Sequence, residues 1–321
     1  MVTGKGGTGK STVAAALALA LASHGRRVLL CEVEGRQGIA RMFDVDPLPY
    51  AERRIATGLA GADGRAGAVH ALHIDPESAL MEYLSMYYKL GRAGRVLDRF
   101  GVVEFATTIA PGVRDVLLTG KVYEAVKRNS RNRGATQYDA VVLDAPPTGR
   151  IVQFLGVNTE LAGLARMGPI KHQADSVMTL LRSPRTAVHL VTLLEEMPVQ
   201  ETADAIEELR AAELPVGAVM VNQVRPDELD DTSLADALAG RLDGPRIAAD
   251  LAAAGVEAGD TLVAELTEEA RDHAERRALE DEQRSRVAAL DRPTYELPRL
   301  AGGVDLGGLY ELAARLREQG M

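Results

Sequence analysis

Eight residues near the start of the chain, Gly4-Lys5-Gly6-Gly7-Thr8-Gly9-Lys10-Ser11, fit the pattern G-x-x-x-x-G-K-[ST] at every fixed position. Glycines at this density let successive backbone N–H groups turn inward and form a nest for anions. A helix directly after the loop aims its positive N-terminal end at the same point. In such a loop Lys10 bridges the β- and γ-phosphates of a nucleotide and the Ser11 hydroxyl binds Mg²⁺. Thr12 is placed to add a bond to the α-phosphate. A chance glycine turn is the competing reading, but the eight-residue match followed by a helix-forming run favours phosphate binding.

Three further candidates stand at the ends of apolar runs. Asp144 follows the apolar run of YDAVVLDAP (138–146), and an acidic residue at the C-terminal end of a buried strand sits at the sheet edge where nucleotides bind. The bland alternative is a capping Asp before a proline turn. Glu34 ends RRVLLCEVE (26–34), and Glu32 competes with it for any chemistry there, though as a residue inside a buried strand Glu32 suits a structural ion pair better. Asn222 stands next to the end of VGAVMVNQ (216–223), where its amide can both donate and accept hydrogen bonds or simply form a turn.

These residues need a frame. Besides the three runs above, strand candidates are AVHALHID (68–75), TAVHLVTL (186–193) and TYELPRL (294–300). Most are continuous apolar runs, as in strands covered on both faces. Helical stretches between them imply crossovers and a mostly parallel, doubly wound α/β sheet with helices on both faces. STVAAALALALASHG reads as the helix after the loop, closing at Gly25. Asp75–Pro76 reads as a helix start, and the charged, Ala-rich stretch 225–292 as amphipathic surface helices. The expectation is one domain over 1–321, with helical insertions at about 76–136 and 156–185. Only residues 1–3 precede the loop, fewer than the five or six of an ordinary strand, so the native chain is expected to begin further upstream.

Composition excludes several classes. The net charge of -9 argues against sequence-independent binding of nucleic acid or anionic lipid. Cys31 is the single cysteine, so no disulfide, CxxC zinc site or iron–sulfur site can be built from one chain. The six histidines are scattered, and no metal site is expected from them. The longest apolar run, 13–22, is about half a membrane span and reads as a buried helix. No signal peptide fits, so the protein is expected to be cytoplasmic.

KGGTGKS resembles the deviant Walker A motif, K-G-G-x-G-K-[ST], of the ArsA, MinD, ParA and nitrogenase iron protein group. There the extra lysine, here Lys5, reaches across a dimer interface to the partner's nucleotide. A second cation near the γ-phosphate would stabilise transition-state charge; a solvated loop lysine is the alternative. VVLDAPPTGRIVQFL (141–155) is similar to the signature DTAPTGHTLRFL of the arsenite-pump (ArsA) family. The resemblance makes Asp144 the holder of the Mg²⁺ shell and Pro147, Thr148 and Gly149 the switch that senses the γ-phosphate. Ala145, Pro146 and Arg150 depart from the family's Thr, Ala and His. VLLCEVEGRQGIARMF (28–43) aligns with the family's first switch, which puts Glu34 where the family has its water-orienting Asp. Gly35, Arg36, Gln37 and Gly38 replace Pro, Ala, His and Asn. VMVNQ (219–223) resembles the strand end whose Asn reads adenine, and ELPRLAGGV (296–304) falls where the family loops over the base. EVEGRQGI looks like the actinobacterial branch, described as anion-transporting ATPases.

The resemblance implies a Mg²⁺-dependent ATPase with one phosphate loop per chain, working as a homodimer or with a paralogous ATPase. Three roles compete. An ArsA-type motor couples hydrolysis to an anion transporter or other membrane partner, placing the protein at the inner membrane face through that partner. The family's cysteine-based metalloid site is absent. A client-binding chaperone for membrane proteins would need an apolar groove, for which the Met/Tyr helix at 76–91 with Phe100 and Phe105 is the candidate wall. A MinD/ParA-type positioning ATPase would need a membrane-binding C-terminal helix, and GLYELAARLREQGM is a weak one.

Overall fold

The computed structural model describes residues 1–33, 37–88, 111–128, 135–164, 169–257 and 259–321. In chain order the elements are β1 (Val2–Gly4), α1 (Lys10–Leu21), β2 (Arg27–Glu32), α2 (Gly38–Met42), β3 (Arg53–Ala60) and β4 (Ala66–His73). Next come α3 (Pro76–Tyr88), α4 (Pro111–Lys127), β5 (Ala140–Asp144), α5 (Thr148–Leu164), α6 (Pro169–Leu181), β6 (Val188–Thr192) and α7 (Glu196–Ala211). The chain closes with β7 (Val216–Val224), α8 (Asp231–Leu238), α9 (Gly244–Ala253), α10 (Asp260–Ala288), β8 (Thr294–Pro298) and α11 (Leu306–Glu318).

The strands form one sheet in the order β3-β4-β2-β5-β1-β6-β7-β8. Every neighbouring pair is parallel except β3–β4, which is an antiparallel edge. Each expected strand is present, with ends within two residues of those expected; β4 begins two residues earlier and β7 runs one residue further. Two strands have no counterpart in the sequence reading. β3 carries Arg53 and Arg54 and is mostly exposed, so it lacks the apolar signature of a covered strand. β1 is only three residues long, but it is hydrogen-bonded on both sides, to β5 and β6. The β6 ladder continues past it, because His189 N donates to the Met1 carbonyl at 2.8 Å.

Side chains alternate across the sheet and feed two cores. Leu29, Cys31, Leu143, Leu190 and Val219 pack with Leu118 of α4, Ile151 and Phe154 of α5, and Ile206 of α7. Val28, Leu30, Val142, Val191 and Met220 pack with α1 and α11 on the other face. α1 is apolar on all sides because it is covered on all sides: the sheet lies beneath it and α11 lies over it. Residues Val13 to Ala20 of α1 are all buried. The helix ends at Leu21, before the expected stop, and Gly25 (φ +76°) instead turns the chain into β2.

Asp75 caps α3 as expected, its carboxylate accepting from Ser78 N at 2.8 Å. The side chains of α3 from residue 83 onward lie outside the described residues, as do Phe100 and Phe105. The apolar face of α11, Leu309, Leu312, Ala313 and Leu316, is buried. The surface that a membrane-attached tail helix would need is therefore covered. Among the described residues no helix is long and apolar enough to cross a membrane.

Candidate functional site

The loop 4–11 hangs from the C-terminal end of β1, between the ends of β5 and β6. Two of its glycines are required by contact. A Cβ on Gly4 would stand 2.2 Å from the Val191 carbonyl oxygen, and one on Gly9 (φ +86°) 2.3 Å from Asn222 Nδ2. At these two positions β6 and the Asn222 side chain press on the loop too closely for a Cβ. Gly7 (φ +90°) takes the left-handed turn in between, and Gly6 is open on its Cβ side. Gly9 begins α1, so the free N–H groups of that helix point into the loop.

The polar groups converge as the motif requires. Ser11 Oγ donates to Asp144 Oδ2 at 2.5 Å, joining the loop to the end of β5. Lys10 Nζ lies over the loop, 3.5 Å from the Lys5 carbonyl, which also accepts from the Thr8 hydroxyl at 2.9 Å. Thr3 Oγ1 donates to the Pro146 carbonyl at 2.6 Å, so β1 holds the turn that leads through Pro147 into α5. Thr148 and Gly149 form the first turn of α5.

Four placements go beyond the sequence reading. Asn222 is buried, and its Nδ2 donates to the Thr8 carbonyl at 2.9 Å, bracing the loop from below. The Thr12 hydroxyl is turned to Met42 Sδ at 3.6 Å. Lys5 leaves the loop for an ion pair with Glu201 Oε1 at 2.9 Å. Thr148 Oγ1 donates to the other oxygen of the same carboxylate at 3.3 Å. No motif marks Glu201. It comes from the second turn of α7, and only the fold brings it to Lys5.

Glu34, Gly35 and Arg36 lie outside the described residues. Their flanks are well fixed. Glu32 is buried, its Oε1 accepts from Gly38 N at 2.7 Å, and its Oε2 is 3.5 Å from His73 Nδ1. The contact with His73 is an ion pair only when the imidazole is protonated. Gln37 (φ +53°) clamps Leu48 reciprocally, donating to its carbonyl at 3.1 Å and accepting from its N–H at 2.8 Å. Cys31 is fully buried, and burial pushes its thiol up to about 12, so it is a core residue rather than a ligand or nucleophile. Among the described residues no three His, Cys, Asp or Glu side chains gather as a metal cage.

A glycine loop between a buried parallel strand and a helix, with a Lys, a Ser and a strand-end Asp converging on it, is the arrangement of a phosphate-loop nucleotide-binding protein. Comparison with known proteins narrows the class. The family described as anion-transporting ATPase matches residues 1–184 and 164–241. The chain is 54% identical over 321 residues to the ATPase BagA of Mycobacterium tuberculosis, covering 100% of this chain and 93% of that one. It is 24% identical over 264 residues to the ATPase GET3 of Kluyveromyces lactis, covering 72% and 73%. It is 25% identical over 246 residues to the arsenical pump-driving ATPase of Escherichia coli, covering 70% of this chain and 39% of that one. The chain belongs to the anion-transporting ATPase family. It is an ATP-hydrolysing enzyme.

Proposed function

We propose that this chain is the ATP-driven subunit of a two-chain motor. A single ATPase unit over residues 1–321 pairs with a second copy or a paralogous chain. It couples nucleotide-driven rearrangement of that pair to an anion transporter or another membrane partner. The observation that carries the reading is the placement of Lys5. Its side chain leaves its own loop for Glu201, at 2.9 Å, and stays 30% exposed, open to a second subunit. The pump-driving name of the Escherichia coli relative supports the transport side.

In this reading Gly4, Gly6, Gly7, Thr8 and Gly9 cradle the phosphates through their backbone, with Lys10 across the β- and γ-phosphates and Thr12 at the α-phosphate. Ser11 and Asp144 hold Mg²⁺. One hydroxyl and one carboxylate suit a cation that takes its other ligands from water and substrate phosphate. The ion, when bound, neutralises charge developing on the phosphate oxygens. Glu34 orients the attacking water, Lys5 stabilises the partner's transition-state charge, and Pro147, Thr148 and Gly149 respond to the γ-phosphate. Asn222 meets adenine with the N–H and oxygen that its bond to Thr8 leaves over.

The test is the Glu34→Gln protein, purified from its own cells with ATP and, separately, with ADP. The expected outcome is retained ATP binding, slowed turnover and a transport protein recovered only with ATP. A set of apolar client proteins in its place would move the assignment to a targeting chaperone. Wild-type turnover in the variant would remove Glu34 from the role.

A further inference from the structure

We infer that Glu201 is a further residue of the ATPase site, a latch that sets where Lys5 and Thr148 stand before nucleotide arrives. The inference rests on the reading above, in which Thr148 meets the γ-phosphate of its own chain's nucleotide and Lys5 that of the paired chain's.

The geometry is a fork. One carboxylate oxygen takes the Lys5 ammonium at 2.9 Å and the other takes the Thr148 hydroxyl at 3.3 Å. Both partners are donors, and a nucleotide's terminal phosphate offers them the same kind of acceptor with more charge. Carboxylate and phosphate therefore compete for the same two donors. Lys5 belongs to the loop after β1, and Thr148 opens α5. Glu201 ties them through α7, which packs on α5. Release of one donor frees one arm of the fork, so the lysine and the switch turn leave the carboxylate in a linked way.

Strength decides whether this is a latch or a fixed brace. The Lys5 and Glu201 side chains are 30% and 36% exposed. Pairs so open to solvent shift an equilibrium by a factor of roughly 1.4 to 5. A Mg-nucleotide displaces such a contact readily. It also loses affinity by that same factor, because the contact must break before the donors reach the phosphate.

The experiment measures equilibrium binding of a fluorescent ATP analogue, with Mg²⁺, to full-length wild type, Glu201→Gln, Glu201→Ala, Lys5→Ala and the Lys5→Ala/Glu201→Ala double variant. KM and kcat for ATP are measured in the same set. Glu201→Gln keeps the shape of the side chain and guards against a folding defect in the alanine variant. Both Glu201 variants are expected to bind about 1.4- to 5-fold tighter, with KM lowered by the same factor and kcat not reduced. The gain is expected to shrink in the Lys5→Ala background, because one arm of the fork is already gone. Unchanged or weaker binding in both Glu201 variants overturns the latch, as does a gain of full size in the Lys5→Ala background. If Lys5→Ala by itself leaves binding and turnover at wild-type values, the reading of Lys5 has failed. A neutral Glu201 with an impaired Lys5→Ala protein fails the latch alone.

Discussion

Two regions of this protein are built on opposite terms. Beneath the phosphate loop, β1 and α1 are enclosed. Val2 and residues 13–20 have little or no exposure, and Gly4 and Gly9 of the loop are pressed by Val191 and Asn222. On the outer side, α8, α9 and α10 form a helical layer in which α9 buries no residue and α10 buries only Ala274, Gln283 and Val287 along its 29 residues. That layer is laced with ion pairs such as Arg241–Asp236 and Arg271–Glu275. Packing fixes the first region and solvated charge holds the second. The chemistry sits on a packed floor, while the outer helices tolerate change.

The largest effect should come from the tightest point. Gly4→Ala puts a Cβ against the Val191 carbonyl at a backbone angle that favours glycine. It should destabilise the fold by about 3 kcal/mol or more, read from the urea midpoint at constant slope. A loss under about 1 kcal/mol would show that β1 yields and would weaken the contrast. Lys10→Ala should leave the fold intact and remove stabilisation by Mg-ATP, which in wild type reaches about 2.7 kcal/mol at a hundredfold excess over Kd. Retained stabilisation in a thermal scan would take Lys10 out of the site.

Asn222→Ala leaves the buried Thr8 carbonyl without its donor, and a loss of about 1–3 kcal/mol is expected in chemical denaturation. A neutral result would mean that the brace is dispensable.

His189 sharpens the comparison through pH. Burial pushes its imidazole down to about 3, and the ring accepts from Ala218 N at 3.1 Å. The unfolded chain takes up a proton near pH 6.5 that the folded chain refuses until about pH 3. Its stabilising contribution is therefore complete above pH 6.5 and is lost as the pH falls through that window. His189→Gln should flatten the stability curve between pH 6.5 and 4, and an unchanged slope would assign the acid sensitivity elsewhere.

The smallest effect is expected in the outer layer. Asp236→Ala, which breaks the exposed pair with Arg241, should change stability by about 0.5 kcal/mol or less. A larger loss would mean that the outer helices depend on more than solvated charge.

Much of this was legible along the chain, and its limits are as informative. The loop 4–11, the buried α1, the Asp75 cap and the strand-end Asp144 were readable because each is a local pattern of a few adjacent residues. β3 was not, because an edge strand open to water carries no apolar run. The helix stop was misplaced at Gly25 because a left-handed glycine marks a turn without saying which residue ends the helix.

What the sequence determined by itself is the chemistry of the loop and the alternating α/β order, since motif and periodicity act over short spans. Only the tertiary structure decided which residues serve that chemistry from a distance. Glu201 reaches Lys5, Asn222 braces Thr8 and α11 closes over α1 because a parallel sheet gathers the ends of non-adjacent strands at one edge. Such contacts depend on strand order, and no local pattern encodes strand order.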